Sequence, residues 1–342
     1  MLSVAELLDR VRAYRPEAEV SVVDKAYHFA QAAHEGQLRK SGAPYFGHPV
    51  NVAGVITELR LDVASVCAAL LHDVVEDTPA SRSELEQEFG TEIAFLVDGV
   101  TKLSKIDFSS RQDRQAESFR KMVVAMARDI RVLLVKLCDR LDNMRTLQFM
   151  SQEGQERIAL ETMEIYAPLA NRLGLARFKA ELQDLSFKYL SPQAFDEVGQ
   201  QLADHQAAEQ AHMDQVCHQL TTKLAAQGFA ARVAGRAKHL YSVWTKMQDR
   251  QCEFEQVHDR VAFEVVVESV ADCYAALGVI HSLWTPVPGR FKDYVALPKP
   301  NMYQSLHTTV FGPSHQRVEL AIRTHEMQRV AEQGVVAHWK FK

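Results

Sequence analysis

The hydrophobic period of this chain changes once, near Gly228, and that change limits what it can fold into. Before it, apolar residues recur at the three-and-four spacing of amphipathic helices. After it, short β-branched runs alternate with further helical ones. Such a chain builds a helical part and then a part containing a sheet. At 342 residues two cores are expected, and 47% hydrophobic residues suffice for both.

In the helical part, Val22 to Glu35, Pro49 to Leu59, Val63 to Leu71, Ser83 to Phe89 and Ala116 to Ala127 read as helices. Ser83 with Glu86 has the spacing of a capping box. Val132 to Leu137 has strand propensity, but the Asp-Arg-Leu-Asp-Asn after it suits a helix better. Ser104 to Gln115 is polar and aperiodic, a loop long enough to be functional or mobile. Residues 156 to 190 are again helical, interrupted near Asn171–Gly174. Ser191-Pro192 is a stop signal, and Phe195 to Ala225 forms one or two long helices. Beyond Gly228 the expected strands are Ala230 to Ala234, Arg260 to Glu268, Val295 to Leu297, Thr308 to Gly312 and Arg317 to Arg323. Helices are expected between and after them at Leu240 to Asp249, Val270 to Leu283 and Glu326 to Gly334.

A net charge of −5 gives no electrostatic case for general nucleic-acid binding. The cysteines Cys67, Cys138, Cys217, Cys252 and Cys273 are scattered without a C-x-x-C pair, as in a reducing compartment. Met1 to Pro16 lacks signal-peptide character, and no apolar run approaches membrane-spanning length. The cytoplasm is the expected location.

The densest chemistry follows the apolar run Ala68 to Leu71: His72, Asp73, Glu76 and Asp77. On a continuous helix His72 would lie near Glu76, and Asp73 near Glu76 and Asp77. Carboxylates beside an apolar run are costly unless a cation neutralises them, so a divalent metal is the favoured partner. The plainer alternative is a helix end with a solvated acidic patch. His48 and Asp139 offer distant ligands. A set of two imidazoles and two carboxylates suits Mn, Fe, Ni or Zn in a catalytic setting. An adjacent His-Asp pair with a distant His and a distant Asp is also the signature of the HD phosphohydrolases, whose metal polarises a phosphate and acidifies a water.

Three stretches extend that resemblance: Ala33 to Tyr45 followed by Gly47-His48-Pro49, Leu71 to Thr78, and Lys136 to Leu141 with Asn143-Met144-Arg145-Thr146. They are similar to the hydrolase domain of the long RelA/SpoT homologues, the (p)ppGpp synthetase–hydrolases of the bacterial stringent response. The resemblance implies Mn²⁺ on His48, His72, Asp73 and Asp139, with Glu76 and Asp77 orienting or activating water. It implies Arg39, Lys40 and Ser41 at the nucleotide, and Asn143 and Thr146 on the ribose side. Loss of the 3′-pyrophosphate would give GDP or GTP. Asp142 stands where the family usually has His, and tuning of the site is expected from it.

The C-terminal part carries a second set. Arg236 and Lys238 precede a helix that bears Lys246, a placement suited to phosphates. Asp259 is read as opening one strand and Glu319 lies in another, as a Mg²⁺-dependent phosphotransfer needs. Arg290 and Lys292 form a charged loop, and Lys299, Asn301, Tyr303 and His307 offer stacking and hydrogen bonds. Residues 228 to 342 resemble the synthetase domain of the same family, of nucleotidyltransferase-like fold. That resemblance implies ATP phosphates on Arg236, Lys238 and Lys246, and Mg²⁺ on Asp259 and Glu319. It also implies guanine on Tyr303 and the acceptor nucleotide at Asn301 and His307. Pyrophosphoryl transfer from ATP to the 3′-hydroxyl of GDP or GTP would release AMP. The family usually has Gln where this chain has Ala321, Arg where it has Glu264, and Gly where it has Met302. By strand parity Ala321 shares a face with Glu319, whereas 264 and Asp259 have opposite parity.

The expected organisation is α + α/β: an all-helical HD hydrolase domain over residues 1–155, a helical connector over 156–195 and an α/β synthetase over 196–342. Its expected partners are guanine nucleotides and ATP, and related long proteins carry further C-terminal regulatory domains. The expected function is bifunctional. A hydrolase with a weakened or inactive synthetase and a non-catalytic guanine-nucleotide sensor are the alternatives. Opposed activities would waste ATP if both ran, so coupling through residues 150 to 195 is expected, with the Ser104 to Gln115 loop ordering in one state.

Overall fold

The computed structural model describes residues 2–104, 128–257 and 259–338. The helix expected at Ala116 to Ala127 and the loop after Ser104 lie outside the described residues. The chain divides into two compact units between Tyr166 and Ala167, inside the segment read as a connector.

The first unit is helical. Val63–Leu71 is its central helix, buried from Ser65 to Leu71, with Asp62 capping its start through the Ser65 N–H. Helices Ser21–Ala33, Gly47–Glu58, Arg82–Ser104 and Ile130–Arg145 surround it. Ile130–Arg145 settles the ambiguous Val132 to Leu137 run as helix, and Leu133, Leu134, Leu137, Cys138 and Leu141 are buried. Arg131 anchors its start by donating to Asp62 at 2.6 Å, Glu92 at 2.7 Å and Asp129 at 2.7 Å. That junction fixes where Asp139 emerges, two turns later. The capping box sits two residues earlier than expected: the Ser81 hydroxyl accepts from the Glu84 N–H, and the Glu84 carboxylate accepts from the Ser81 N–H. Gly90, at φ 84°, kinks the helix that follows.

The second unit begins with helices Ala167–Arg172 and Ala176–Leu190. Pro192–Ala226 is then one helix of 35 residues, with Pro192 in its first turn. Five strands form one sheet: β1 (Arg232–Ala237), β2 (Val261–Val267), β3 (Lys292–Asp293), β4 (Leu306–Phe311) and β5 (Arg317–Thr324), in the order β1-β2-β5-β4-β3. Only the β2–β5 pair is parallel. One sheet face packs Phe263, Val265, Leu320 and Ile322 against Val216, Leu220 and Leu224 of the long helix and Cys273, Ala276 and Ile280 of Val270–Leu283. Alternation therefore turns Ala262, Glu264, Glu319 and Ala321 to the other face.

Val295 to Leu297 is not a strand. The Asp293 carboxylate accepts the N–H groups of Val295 at 2.9 Å and Ala296 at 2.8 Å. This local turn consumes the donors a ladder would use, and pairing is confined to Lys292–Asp293.

Candidate active sites

In the first unit the chain does not continue as one helix through the acidic cluster. Helix Val63–Leu71 ends, His72 and Asp73 form a turn, and Val74–Asp77 is a separate short helix. The His72 ring explains the break. Its Nδ1 lies 2.8 Å from the Ala69 carbonyl, the one a continuous helix would give to the Asp73 N–H. A carbonyl can only accept, so Nδ1 carries the proton and the Nε2 lone pair faces the site.

His48, His72 and Asp139 are buried, and each offers a ligand atom within 4.8 Å of the others. His48 Nε2 lies 3.2 Å from Asp139 Oδ1 and 3.6 Å from Asp73 Oδ2. His72 Nε2 lies 3.2 Å from Asp73 Oδ1 and 4.0 Å from Asp139 Oδ1. His72 Nε2 is buried yet has no hydrogen-bond partner. A buried acceptor aimed at two carboxylates fits a divalent cation, and the nitrogen–oxygen donor set suits one.

The surrounding shell was not legible as such in the sequence. His48 Nδ1 is 2.6 Å from Asp142 Oδ2, which leaves Nε2 as the ligand atom. Asp142 also accepts from Asn51 at 3.0 Å and Arg39 at 3.0 Å, and Arg39 donates to Asn143 at 3.0 Å. Asn143 and Lys136 donate to Asp139 at 2.5 Å and 2.7 Å. The Tyr45 hydroxyl lies 2.8 Å from both Asp73 and Asp77 and bridges them.

Burial opposes charge at every one of these groups, and the neighbours overcome it. Asp139 and Asp142 raise His48 to about 9, and Asp73 raises His72. His72 lowers Asp73 to about 2, and Lys136 with His48 holds Asp139 well below the carboxylate range. Glu76 and Asp77 are exposed at the rim. Lys40 and Ser41 are exposed, and the Ser41 hydroxyl accepts from the Ala43 N–H at 3.3 Å. Thr146 bonds back to the Asp142 carbonyl at 3.1 Å, closing its helix end.

The second unit gathers its own set. Asp259 precedes β2 and does not open it; the strand starts at Val261. Arg236 lies in β1, and Lys238 follows it. The buried Asp259 carboxylate contacts Lys246, takes two bonds from Arg250 at 3.0 Å and 3.2 Å, and lies 3.6 Å from Lys238. Lys238 also meets Glu319 at 2.5 Å. Burial resists the Asp259 charge, but Lys246 and Arg250 hold it far below the usual range. Burial lowers Lys246 to about 8, with Asp259 opposing and Lys238 adding to the drop. Arg250 follows Lys246 by four residues on one helix face, a spacing that could have pointed to it.

Register settles the parity question about Glu264, because Asp259 lies outside the strand. Glu264 pairs with Ala321 across β2–β5, and Ala321 pairs with His307 across β5–β4. The three form one row on the face that bears Glu319. Beside it Gln328 donates to Glu264 at 3.0 Å, and Arg323 donates to the Tyr303 hydroxyl at 3.2 Å. Tyr303 also pairs with His307 at 2.7 Å. Lys299 lies 4.9 Å from the Tyr303 ring centre, and Asn301 donates to the Asn171 carbonyl at 3.3 Å. Met302 adopts φ 63°, a left-handed turn position that favours glycine. Arg290 and Lys292 are exposed at this end of the sheet.

The HD domain family matches residues 26–176, and the region found in RelA and SpoT proteins matches residues 235–342. The chain belongs to the RelA/SpoT family. A GTP pyrophosphokinase of Myxococcus xanthus is 52% identical to this RelA/SpoT protein over 335 residues, 97% of this chain and 44% of the relative. A probable guanosine-3′,5′-bis(diphosphate) 3′-pyrophosphohydrolase of Synechocystis is 51% identical over 322 residues, 94% of this chain and 42% of the relative. The chain thus spans less than half the length of these relatives. A solved metazoan SpoT orthologue is 28% identical, with 50% of this chain and 96% of that one covered and a TM-score of 0.37. Among the described residues no helix is long and apolar enough to cross a membrane.

Proposed function

We propose that the first unit hydrolyses the 3′-pyrophosphate of (p)ppGpp to give GDP or GTP, and that the second makes (p)ppGpp by pyrophosphoryl transfer from ATP to the 3′-hydroxyl of GDP or GTP. On this reading the hydrolase occupies residues 1–155, the connector 156–195 and the synthetase 196–342. The observation that carries the hydrolase is the unpartnered His72 Nε2 facing Asp73 and Asp139 beside His48. Those four residues would hold Mn²⁺, which supplies phosphate polarisation and an acidified water. The chain's own groups do the rest. Asp142 and the Ala69 carbonyl fix the two imidazoles. Tyr45 sets the spacing of Asp73 and Asp77. Glu76 and Asp77 orient the attacking water, and Arg39, with Lys40, Ser41, Asn143 and Thr146, meets the nucleotide.

In the synthetase Arg236, Lys238 and Lys246 receive ATP phosphates, and Asp259 with Glu319 takes Mg²⁺. Arg290, Lys292, Lys299, Asn301, Tyr303 and His307 position the acceptor. Catalysis there rests on placement and charge stabilisation. A second reading, a hydrolase with a weakened synthetase, is favoured by the Glu264–Ala321–His307 row. It sets a carboxylate and a methyl group where the family carries Arg and Gln.

A turnover assay tests both halves. Purified protein with Mn²⁺ is expected to strip pyrophosphate from ppGpp, and with Mg²⁺ to consume ATP in the presence of GDP. An Asp77→Ala variant lets synthesised product accumulate. No ppGpp turnover with Mn²⁺ contradicts the hydrolase. Hydrolysis by the wild type, with no (p)ppGpp made in the Asp77→Ala background, selects the second reading.

A further inference from the structure

Helix Ala176–Leu190 and the segment that leads into it touch both sides of the second site. On one side, Gln183 Oε1 lies 3.2 Å from His239 Nε2, and Asp184 accepts the Tyr241 N–H at 2.9 Å. Those contacts bind it to the segment that carries Arg236 and Lys238. On the other side, the end of the preceding helix Ala167–Arg172 accepts the Asn301 amide at 3.3 Å through the Asn171 carbonyl. Gly174, at φ +74°, permits this approach: a Cβ there would stand 2.9 Å from Gly334 and 3.5 Å from Asn301 Nδ2. Those contacts bind the segment just before the helix to the loop that carries Lys299 and Tyr303.

Lys179 lies one turn before Gln183, on the face that meets His239. It is half-buried, and among the described residues its ammonium has no acidic partner. Its charged neighbours are cations. Burial and Lys299 lower Lys179, and burial, Lys179 and Arg236 push His239 down to about 4. Lys299 meanwhile stands 4.6 Å from the Tyr294 ring centre and 4.9 Å from that of Tyr303, with aromatic faces as its neighbours. Lys179 is half-buried, whereas Arg236 and Lys299 are exposed; a half-buried cation facing other cations without counter-charge is costly, and an anion entering among them relieves the cost.

We propose that Lys179 is a nucleotide-binding residue of the second site, its ammonium holding a phosphate group between Arg236 on one side and Lys299 on the other. This rests on the reading of the second unit as a nucleotide site. The phosphate belongs either to ATP or to the acceptor guanine nucleotide. Because Lys179 stands on the second helix of this unit, occupancy of the site acts on that helix directly.

Calorimetric titration of the full chain with Mg²⁺-ATP alone and with GDP alone tests this, since neither reacts without the other. Lys179→Met keeps the aliphatic stem and loses the charge, Lys179→Gln is a second uncharged replacement, and Lys179→Arg restores the charge. Both uncharged variants are expected to weaken one nucleotide about tenfold or more, the loss of one charge-assisted phosphate bond. Lys179→Arg is expected to stay within about threefold. The nucleotide that weakens identifies the phosphate. The affected titration should also lose part of its salt dependence. Uncharged variants that bind both nucleotides like the wild type remove Lys179 from the site. Wild-type protein that binds neither nucleotide overturns the reading of the second unit, and this inference with it.

Discussion

In the first site two imidazole nitrogens face two carboxylates across 3.2–4.0 Å, and one of them, His72 Nε2, has no partner. In the second, Asp259 is already met by Lys246, Arg250 and Lys238, and Lys238 also holds Glu319. The first arrangement waits for a cation. The second keeps its carboxylates neutralised by resident cations, which an entering polyphosphate can draw away. Metal affinity should therefore be intrinsic to the first site and dependent on nucleotide in the second. The same two chemical ingredients, acidic and basic side chains around a phosphate reaction, are stored in opposite states.

The sharpest way to break this comparison is to cripple each site separately. His72→Ala is expected to lower ppGpp hydrolysis by about three orders of magnitude, the several kcal/mol that metal polarisation supplies, with synthesis retained. Asp259→Asn is expected to lower synthesis by about 10²- to 10³-fold, with hydrolysis retained. Initial rates of both reactions in both variants check this. Loss of both activities in either variant would contradict the assignment of the two chemistries to separate sites.

A smaller effect is expected at Asp142, which fixes His48 and Arg39 together. Asp142→Asn should weaken Mn²⁺ binding about 10- to 100-fold, as changes beside a metal ligand do, and raise KM for ppGpp through Arg39. Titration calorimetry and steady-state kinetics separate the two consequences. In the second site, Glu264→Arg combined with Ala321→Gln should raise synthesis above wild type in the Asp77→Ala background, and an unchanged rate would leave the row without influence on turnover.

The smallest effect is on stability against pH. Burial, with Lys179 and Arg236, pushes His239 down to about 4 from 6.5, and burial with Arg323 does the same to His307. Both imidazoles are thus neutral in the fold where the unfolded chain already takes up protons. Unfolding is favoured as pH falls from about 6.5 towards 4, and the stability is fully present above that window. Trp244 and Trp284 lie in the second unit and the sequence up to Tyr166 holds no tryptophan, so thermal unfolding followed by tryptophan fluorescence reports the second unit. Its midpoint should fall across this range, and fall less in His239→Gln or His307→Asn.

How much of this was legible in the sequence differs between the two sites for a physical reason. His72 and Asp73 are adjacent in sequence, and the helical period marks the run that buries them. The shell is another matter: His48 reaches Asp142 across 94 positions and Tyr45 reaches Asp73 across 28. Only the packing of helices Gly47–Glu58 and Ile130–Arg145 brings the first of these together. The break after Leu71 was hidden because hydrophobic period does not report a ring nitrogen on a backbone carbonyl. In the second unit most strands were visible from β-branched runs, but β3 is two residues long and the neighbouring run is turned by Asp293. The row of Glu264, Ala321 and His307 depends on register between strands, which single-strand parity cannot supply, least of all when counted from Asp259.

Titration of nucleotide-free protein with Mn²⁺, followed by the loss of the free-ion signal in electron paramagnetic resonance, tests the contrast between the sites most directly. The wild type and Asp259→Asn should each bind one tight Mn²⁺, and His72→Ala should lose it. Equal tight binding by His72→Ala, or its loss in Asp259→Asn, would contradict the assignment of the metal to the first site.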